Sequence, residues 1–416
     1  MFNNKIFCYL LAAIVALVAG CAPNSNRTAS DSTSNSKVDT SATVDSAKTK
    51  TEKTPPKNLK PVDRKFNDLA RLLAGMPVEE GSVVAKYHDS EHWQAYQKVA
   101  NDIWEKILTE KLPTMLDWQK KHLQAPNAQP GLLFYPFSGP DFLHASTFYP
   151  SATEMVMMGL EPIGSLPDME KISKEFPKSY YNGLKRSLHD ILKYSFFITK
   201  RMDSDFRGRR DKRIDGTLPA LMILMARTKH RILNYEKVAI TKEGKLEKVA
   251  LDAKTSNVYY GTKLTYHKEG DTEQKTVYFF SVNLSNSPYL GMGGLQQRTD
   301  LVKYMESLKP RNTLIKSASY LMYNAGFSKI RDIILKQSKF VIQDDSAMPF
   351  RYFTKDDAWK ITLFGRYAGP IPDFRAFYQN DMRAAYQKGY PIKELPFGIG
   401  YQFVKGNSNL ILAEKK

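Results

Sequence analysis

Ser138-Gly139-Pro140-Asp141, with His144 one turn further on, sets a hydroxyl, a carboxyl and an imidazole close together in the chain. Ser138 and Asp141 have the spacing of a capping box, and proline suits a first helical turn. Directly after an apolar strand, the same segment would also turn helix N–H groups toward an anion or oxyanion. Asp141 and His144 can share a helix face. A working triad, however, gathers its members from separate elements, and the G-x-S-x-G elbow does not occur. Glu161 closes the next apolar run, where dinucleotide folds place the acid that holds ribose hydroxyls. The glycine loop those folds need is missing, since only Gly139 is present, so no cofactor is expected.

Asp344 and Asp345 follow the apolar triplet Phe340-Val341-Ile342. Acids at the carboxyl end of a strand border the usual ligand crevice of an α/β sheet, although neighbours in an extended chain point to opposite faces. A loop acid capping the next element is the plainer reading. His88-Asp89-Ser90-Glu91-His92 matches H-x-x-E-H, but Asp89 or Ser90 would cap the helix and leave His88 outside it, so no metal site is expected. Arg207, Arg209 and Arg210 form the densest basic cluster, diluted by Asp203, Asp205, Asp211 and Asp215. It reads as a solvated loop or as an anion-binding patch.

The start of the chain has its own pattern. Lys5 precedes an apolar run from Ile6 to Ala19, too short to cross a bilayer and of secretory-signal length. It ends Leu17-Val18-Ala19-Gly20-Cys21, which resembles the lipobox of bacterial lipoproteins. The resemblance implies cleavage before Cys21, acylation of that residue and a membrane anchor. Ala22 after it is similar to the outer-membrane sorting pattern. Residues 22–60 are dominated by Ser, Thr, Asn, Asp and Lys and cannot bury enough surface to order themselves. The expected organisation is a signal over 1–20, a tether over 21–60 and a folded body over 61–416.

Net charge is +18, with 61 Lys and Arg against 43 Asp and Glu. Residues 21–60 hold seven basic and four acidic side chains, so most of the excess belongs to the body. Outside the cytoplasm the matching anions are lipid head groups and acidic polysaccharides rather than nucleic acid. Cys8 leaves with the signal and Cys21 is lipidated, so the mature protein would have neither disulfide nor catalytic thiol.

These residues need elements to position them. Phe66, Leu69, Leu72 and Leu73 have helical spacing, and Gly75 can end that helix. Residues 90–121 are helix-like, interrupted at Pro113. Residues 131–137 read as a buried strand, then a short helix to Thr147, then the apolar run Met155–Leu160: a parallel βαβ unit over 131–161. Leu221 to Met225 is apolar on every side and belongs at the centre of the fold. Alternation over 258–267, a polar loop and Val277–Val282 predict an antiparallel hairpin within 257–285. Later helices are expected over 299–308, 327–336 and 374–387. Strands are expected over 340–342 and 361–367, with 401–404 and 409–413 as a closing pair. The fold class is therefore α/β, a mixed sheet with helices packed on it.

Phe137 through Phe142 with Gly159 through Pro162, and Ile342 through Ser346, resemble stretches of uncharacterised secreted bacterial proteins, a resemblance that implies no activity. The resulting expectation is an outer-membrane lipoprotein binding an anionic lipid or polysaccharide of the envelope. The alternative is a hydrolase of envelope polymers, its pocket bordered by Ser138, Asp141, Glu161, Asp344 and Asp345.

Overall fold

A computed structural model describes residues 59–416 except 168, 170–175, 177, 195–215, 254–258 and 309–310. The expected signal, most of the expected tether, Cys21 and the cluster Arg207, Arg209 and Arg210 lie outside the described residues. The helices are α1 (Arg64–Leu73), α2 (Glu91–Lys106), α3 (Leu112–His122), α4 (Phe142–Phe148), α5 (Lys178–Tyr194), α6 (Leu218–Arg227), α7 (Thr299–Ser307), α8 (Ser328–Gln337), α9 (Arg351–Thr354) and α10 (Asn380–Gln387). The strands are β1 (Gly131–Pro136), β2 (Ala152–Gly159), β3 (His230–Ile240), β4 (Leu246–Val249), β5 (Tyr260–Lys268), β6 (Lys275–Ser281), β7 (Arg311–Ile315), β8 (Ser338–Gln343), β9 (Trp359–Gly365), β10 (Ile392–Lys393) and β11 (Asn409–Lys415). None of the described helices is long and apolar enough to cross a membrane.

The eleven strands among the described residues form one mixed sheet in the order β10-β9-β11-β8-β7-β1-β2-β6-β5-β3-β4. Its centre, β8-β7-β1-β2-β6, is parallel, and the antiparallel pairs lie toward the two flanks. The parallel βαβ unit β1-α4-β2 and the hairpin β5-β6 are both present.

Apolar alternation builds the two layers on the sheet. Leu133, Tyr135, Met155, Met157, Val277 and Phe279 face a core shared with α1, α2, α4 and α6. Every residue of α6 is buried, as its all-round apolar sequence requires. Phe134, Val156, Met158 and Phe280 are buried on the other face. There Tyr304 of α7 packs edge-on against Phe280, and Arg311 bonds the carbonyls of Met305 and Ile333. The two faces follow from handedness. From β1 the chain crosses over α4 to β2 on one side, and from β7 over α8 to β8 on the other. Right-handed crossovers in opposite directions put their helices on opposite faces. The boundary between β1 and β7 is thus a topological switch point, and crevices in such sheets open at the carboxyl ends of the strands there.

Three local expectations are corrected. Pro113 does not stop the helical run. The chain passes from α2 through a π-turn, Ile107–Lys111, into α3, and Pro113 sits in the first turn of α3 directly after that π-turn. The span 374–387 is two pieces, a 3-10 segment Pro372–Phe377 and α10, separated by extended backbone at Tyr378 and Gln379. Residues 401–404 are not a strand. They are bends and irregular backbone ahead of a turn at 405–407, while β11 inserts between β8 and β9 and takes both edges.

Candidate functional site at the strand ends

Asp141 is the N-cap of α4, and its Oδ1 accepts from the His144 backbone N–H at 3.3 Å. Ser138 is not the cap. Its Oγ donates to the Met158 carbonyl at 3.3 Å and its N–H to the same oxygen at 2.9 Å, tying the end of β1 to the end of β2. The hydroxyl is therefore committed to the backbone, and no Ser138–Asp141–His144 triad forms.

Asp141 is fully buried and has three side-chain partners. Oδ1 lies 2.9 Å from His144 Nδ1, and Oδ2 lies 2.9 Å from Lys316 Nζ and accepts from the Tyr135 hydroxyl at 2.9 Å. Lys316 immediately follows β7, so this ion pair spans the switch point from the end of β1 to the end of β7. Burial alone would raise the Asp141 carboxyl, but His144 and Lys316 outweigh it and hold the group well below the usual carboxylate range. Burial pushes His144 down to about 4 against the pull of Asp141. The imidazole is thus neutral at pH 7, with its Nδ1 proton directed at the carboxylate. His144 Nε2 is buried without a hydrogen-bond partner among the described residues. A second lysine, Lys111, arrives on the π-turn and is only half-buried. Burial and then the charge of Lys316 pull it down to about 8, opposed by Asp141.

One strand further, the chain turns directly after β8. Asp344 Oδ2 accepts from the Ser317 N–H at 2.9 Å, and Oδ1 accepts from the Ser346 N–H at 3.0 Å. Asp345 goes elsewhere, taking the Tyr320 hydroxyl on Oδ2 at 2.6 Å and the Asn409 amide on Oδ1 at 3.0 Å. The two acids do diverge as neighbours in an extended chain should. Both are pushed upward by burial first. For Asp344 the Asp345 charge adds to that push, and for Asp345 the tyrosine and asparagine bonds resist it. Gly400, at φ +69°, lies against the Asp344 carboxylate, and a Cβ there would collide with it. Glu161 covers the end of β2, its carboxylate close to Gly159 beside the Gly139 backbone.

All five acid and hydroxyl candidates therefore lie on one edge of the sheet. Asp141 and Asp344 are close enough that both raise the Tyr135 hydroxyl, after burial. Ser138 and Glu161 sit at the ends of β1 and β2, and Asp345 turns to its own partners. Backbone strain marks the same edge. Phe137, Ser317, Ser319 and Tyr320 have φ between 52° and 58°, four of the seven described non-glycine residues with positive φ. Such residues cost ~1–2 kcal/mol each and collect where function constrains the chain.

His88 lies outside α2, which Ser90 caps, and stacks on Trp93 with centroids 4.2 Å apart. Among the described residues no group of three His, Cys, Asp or Glu side chains is placed to hold a metal ion. Reasoning from sequence misses Lys111, Lys316, Tyr135, Tyr320 and Asn409. A signal for Lys316 does exist, a lysine directly after the apolar pair Leu314-Ile315, but that strand is five residues long and its apolar run too short to stand out. No protein family, curated relative or solved structure matches this chain.

Proposed function

We propose that this chain is a lipid-anchored protein of the bacterial envelope whose body binds an anionic envelope component at the β1–β7 switch point. The observation that carries the reading is the convergence there of Lys316 and Lys111 on one carboxylate, Asp141, at the carboxyl ends of parallel strands. Lys316 is locked to Asp141 and holds the edge together, and Lys111 adds a second positive charge near the same carboxylate. The lipobox residues before Cys21 and the net charge of +18 support the envelope setting.

The test has two arms. A clickable fatty acid fed to the producing bacterium is expected to label the wild type and not Cys21→Ser; equal labelling contradicts the anchor. Flotation with phosphatidylglycerol vesicles, against phosphatidylcholine controls, is expected to weaken in Lys111→Gln. Because Lys111 is charged only below about 8, wild-type binding should also fall between pH 7 and pH 9, and more steeply than in the variant. Unchanged binding in Lys111→Gln contradicts the site.

A hydrolase of envelope polymers is the second reading, favoured by one observation. Asp141 fixes the His144 tautomer and leaves Nε2 as an unbonded base. On this reading Asp141→Asn abolishes hydrolysis of an envelope polymer while vesicle binding persists.

A further inference from the structure

A second site lies beyond β11 on the same edge of the sheet. Behind the end of β9, residues Gly365–Ala368 and α10 enclose a cavity of about 370 Å³, at the small end of the ~300–1,000 Å³ typical of ligand pockets. Two arginines line it, Arg366 and Arg383, and no carboxylate does. Both side chains are exposed and neither forms an ion pair among the described residues. The Arg383 guanidinium donates to the Tyr378 hydroxyl at 2.8 Å, a neutral partner that positions it without neutralising it. Arg366 is held by its backbone alone, N–H to the Ser408 carbonyl at 2.9 Å, so its side chain is uncommitted.

The remaining wall is aromatic and pre-formed. The Tyr367 hydroxyl accepts from the Gln379 N–H at 2.8 Å, and the Tyr386 hydroxyl donates to the Phe364 carbonyl at 2.9 Å, so neither ring can rotate away. Tyr378 stands 5.5 Å from Tyr367, centroid to centroid, and keeps 39% of its surface exposed. Gly369, at φ +86°, lies under the Tyr378 ring, where a Cβ would come within 3.0 Å of it. Ile392 adds an exposed apolar patch and Gln387 a polar side chain.

We propose that this cavity binds an acidic saccharide, a sugar ring bearing a carboxylate or a phosphate. Planar guanidinium forks pair with either anion through two parallel hydrogen bonds. The Tyr378 face and Ile392 take the apolar C–H face of the ring, and Gln387 its hydroxyls. The size fits one or two sugar units rather than a folded partner. The site uses none of the residues at the β1–β7 switch point, so it stands or falls independently of them.

Calorimetric titration of the full chain in detergent, with trigalacturonate, a glucose phosphate and neutral maltotriose as probes, tests this. At least one acidic probe is expected to bind well above maltotriose, and which one binds identifies carboxylate or phosphate as the natural anion. Arg366→Gln with Arg383→Gln should weaken that binding ~10-fold or more, the loss expected of charge-assisted hydrogen bonds. Arg366→Gln alone, whose guanidinium forms no hydrogen bond among the described residues, should weaken it in the same direction without moving the melting temperature. Absence of binding by both acidic probes, equally tight maltotriose, or undiminished affinity in the arginine variants overturns the proposal.

Discussion

Asp141 and Asp344 are two buried carboxyls at the same edge of one sheet, separated by a single strand, and they are held in opposite states. Asp141 meets a lysine, a histidine and a tyrosine hydroxyl, and stays ionised. Asp344 meets backbone N–H groups, the Ser346 hydroxyl and a second carboxyl in the next residue, and burial and then that carboxyl drive it toward its neutral form. Burial is nearly total for both. The neighbours, not the depth, decide the charge. The same contrast separates the roles. The Asp141 cluster locks β1 to β7 with fixed charge, whereas the Asp344–Asp345 pair is pushed upward by burial, with Tyr320 and Asn409 bonded to Asp345.

The largest way to break this comparison is to strip Asp141 of its cation. Lys316→Met leaves a buried carboxylate short of its counter-charge, and losing one partner of a buried pair costs ~3–5 kcal/mol. Urea unfolding should show a loss of that size. A loss under ~1 kcal/mol would mean that the pair contributes no more than an exposed one.

A smaller and sharper effect concerns pH. Asp141 has its folded pKa depressed, so its contribution is complete above the unfolded value near 3.8 and is lost only in stronger acid. Asp344 and Asp345 have theirs raised, so the folded state holds protons that the unfolded state has released, and their contribution declines as pH rises from about 4 toward neutrality. Asp345→Asn removes one of these acids and the repulsion on the other. Its stability relative to wild type should therefore improve between pH 5 and pH 8, by ~1.4 kcal/mol for every tenfold excess of proton affinity that the substitution abolishes. His144 and His230 titrate in both proteins and cancel in the difference. A difference that stays flat, or falls, with pH contradicts the raised pair.

How much of this is legible in the sequence depends on length and on neighbours. The strand β1, the short helix α4 and the strand β2 are readable because apolar runs and a capping acid sit together in the chain, as is the alternation of the β5–β6 hairpin. Asp141, Asp344 and Asp345 stand out as acids at strand ends. What sequence cannot supply is partnership. Lys316 is 175 residues from Asp141, and Asn409 is 64 from Asp345; only the sheet order brings them together. A capping-box spacing points to Ser138 as the cap of α4. The Met158 carbonyl, reached only once β2 pairs with β1, claims that hydroxyl instead. The partners of β11 are hidden for a similar reason, since β8 and β9 compete for it better than its sequence neighbour at 401–404.

The most direct measurement is the infrared spectrum of the carboxyl groups at pH 6. A buried protonated carboxylic acid absorbs apart from every carboxylate, in the C=O stretching region. The wild type is expected to show that band, Asp345→Asn to diminish or shift it, and Asp141→Asn to leave it in place. A protonated band that disappears with Asp141→Asn and survives Asp345→Asn would reverse the two assignments and contradict the account.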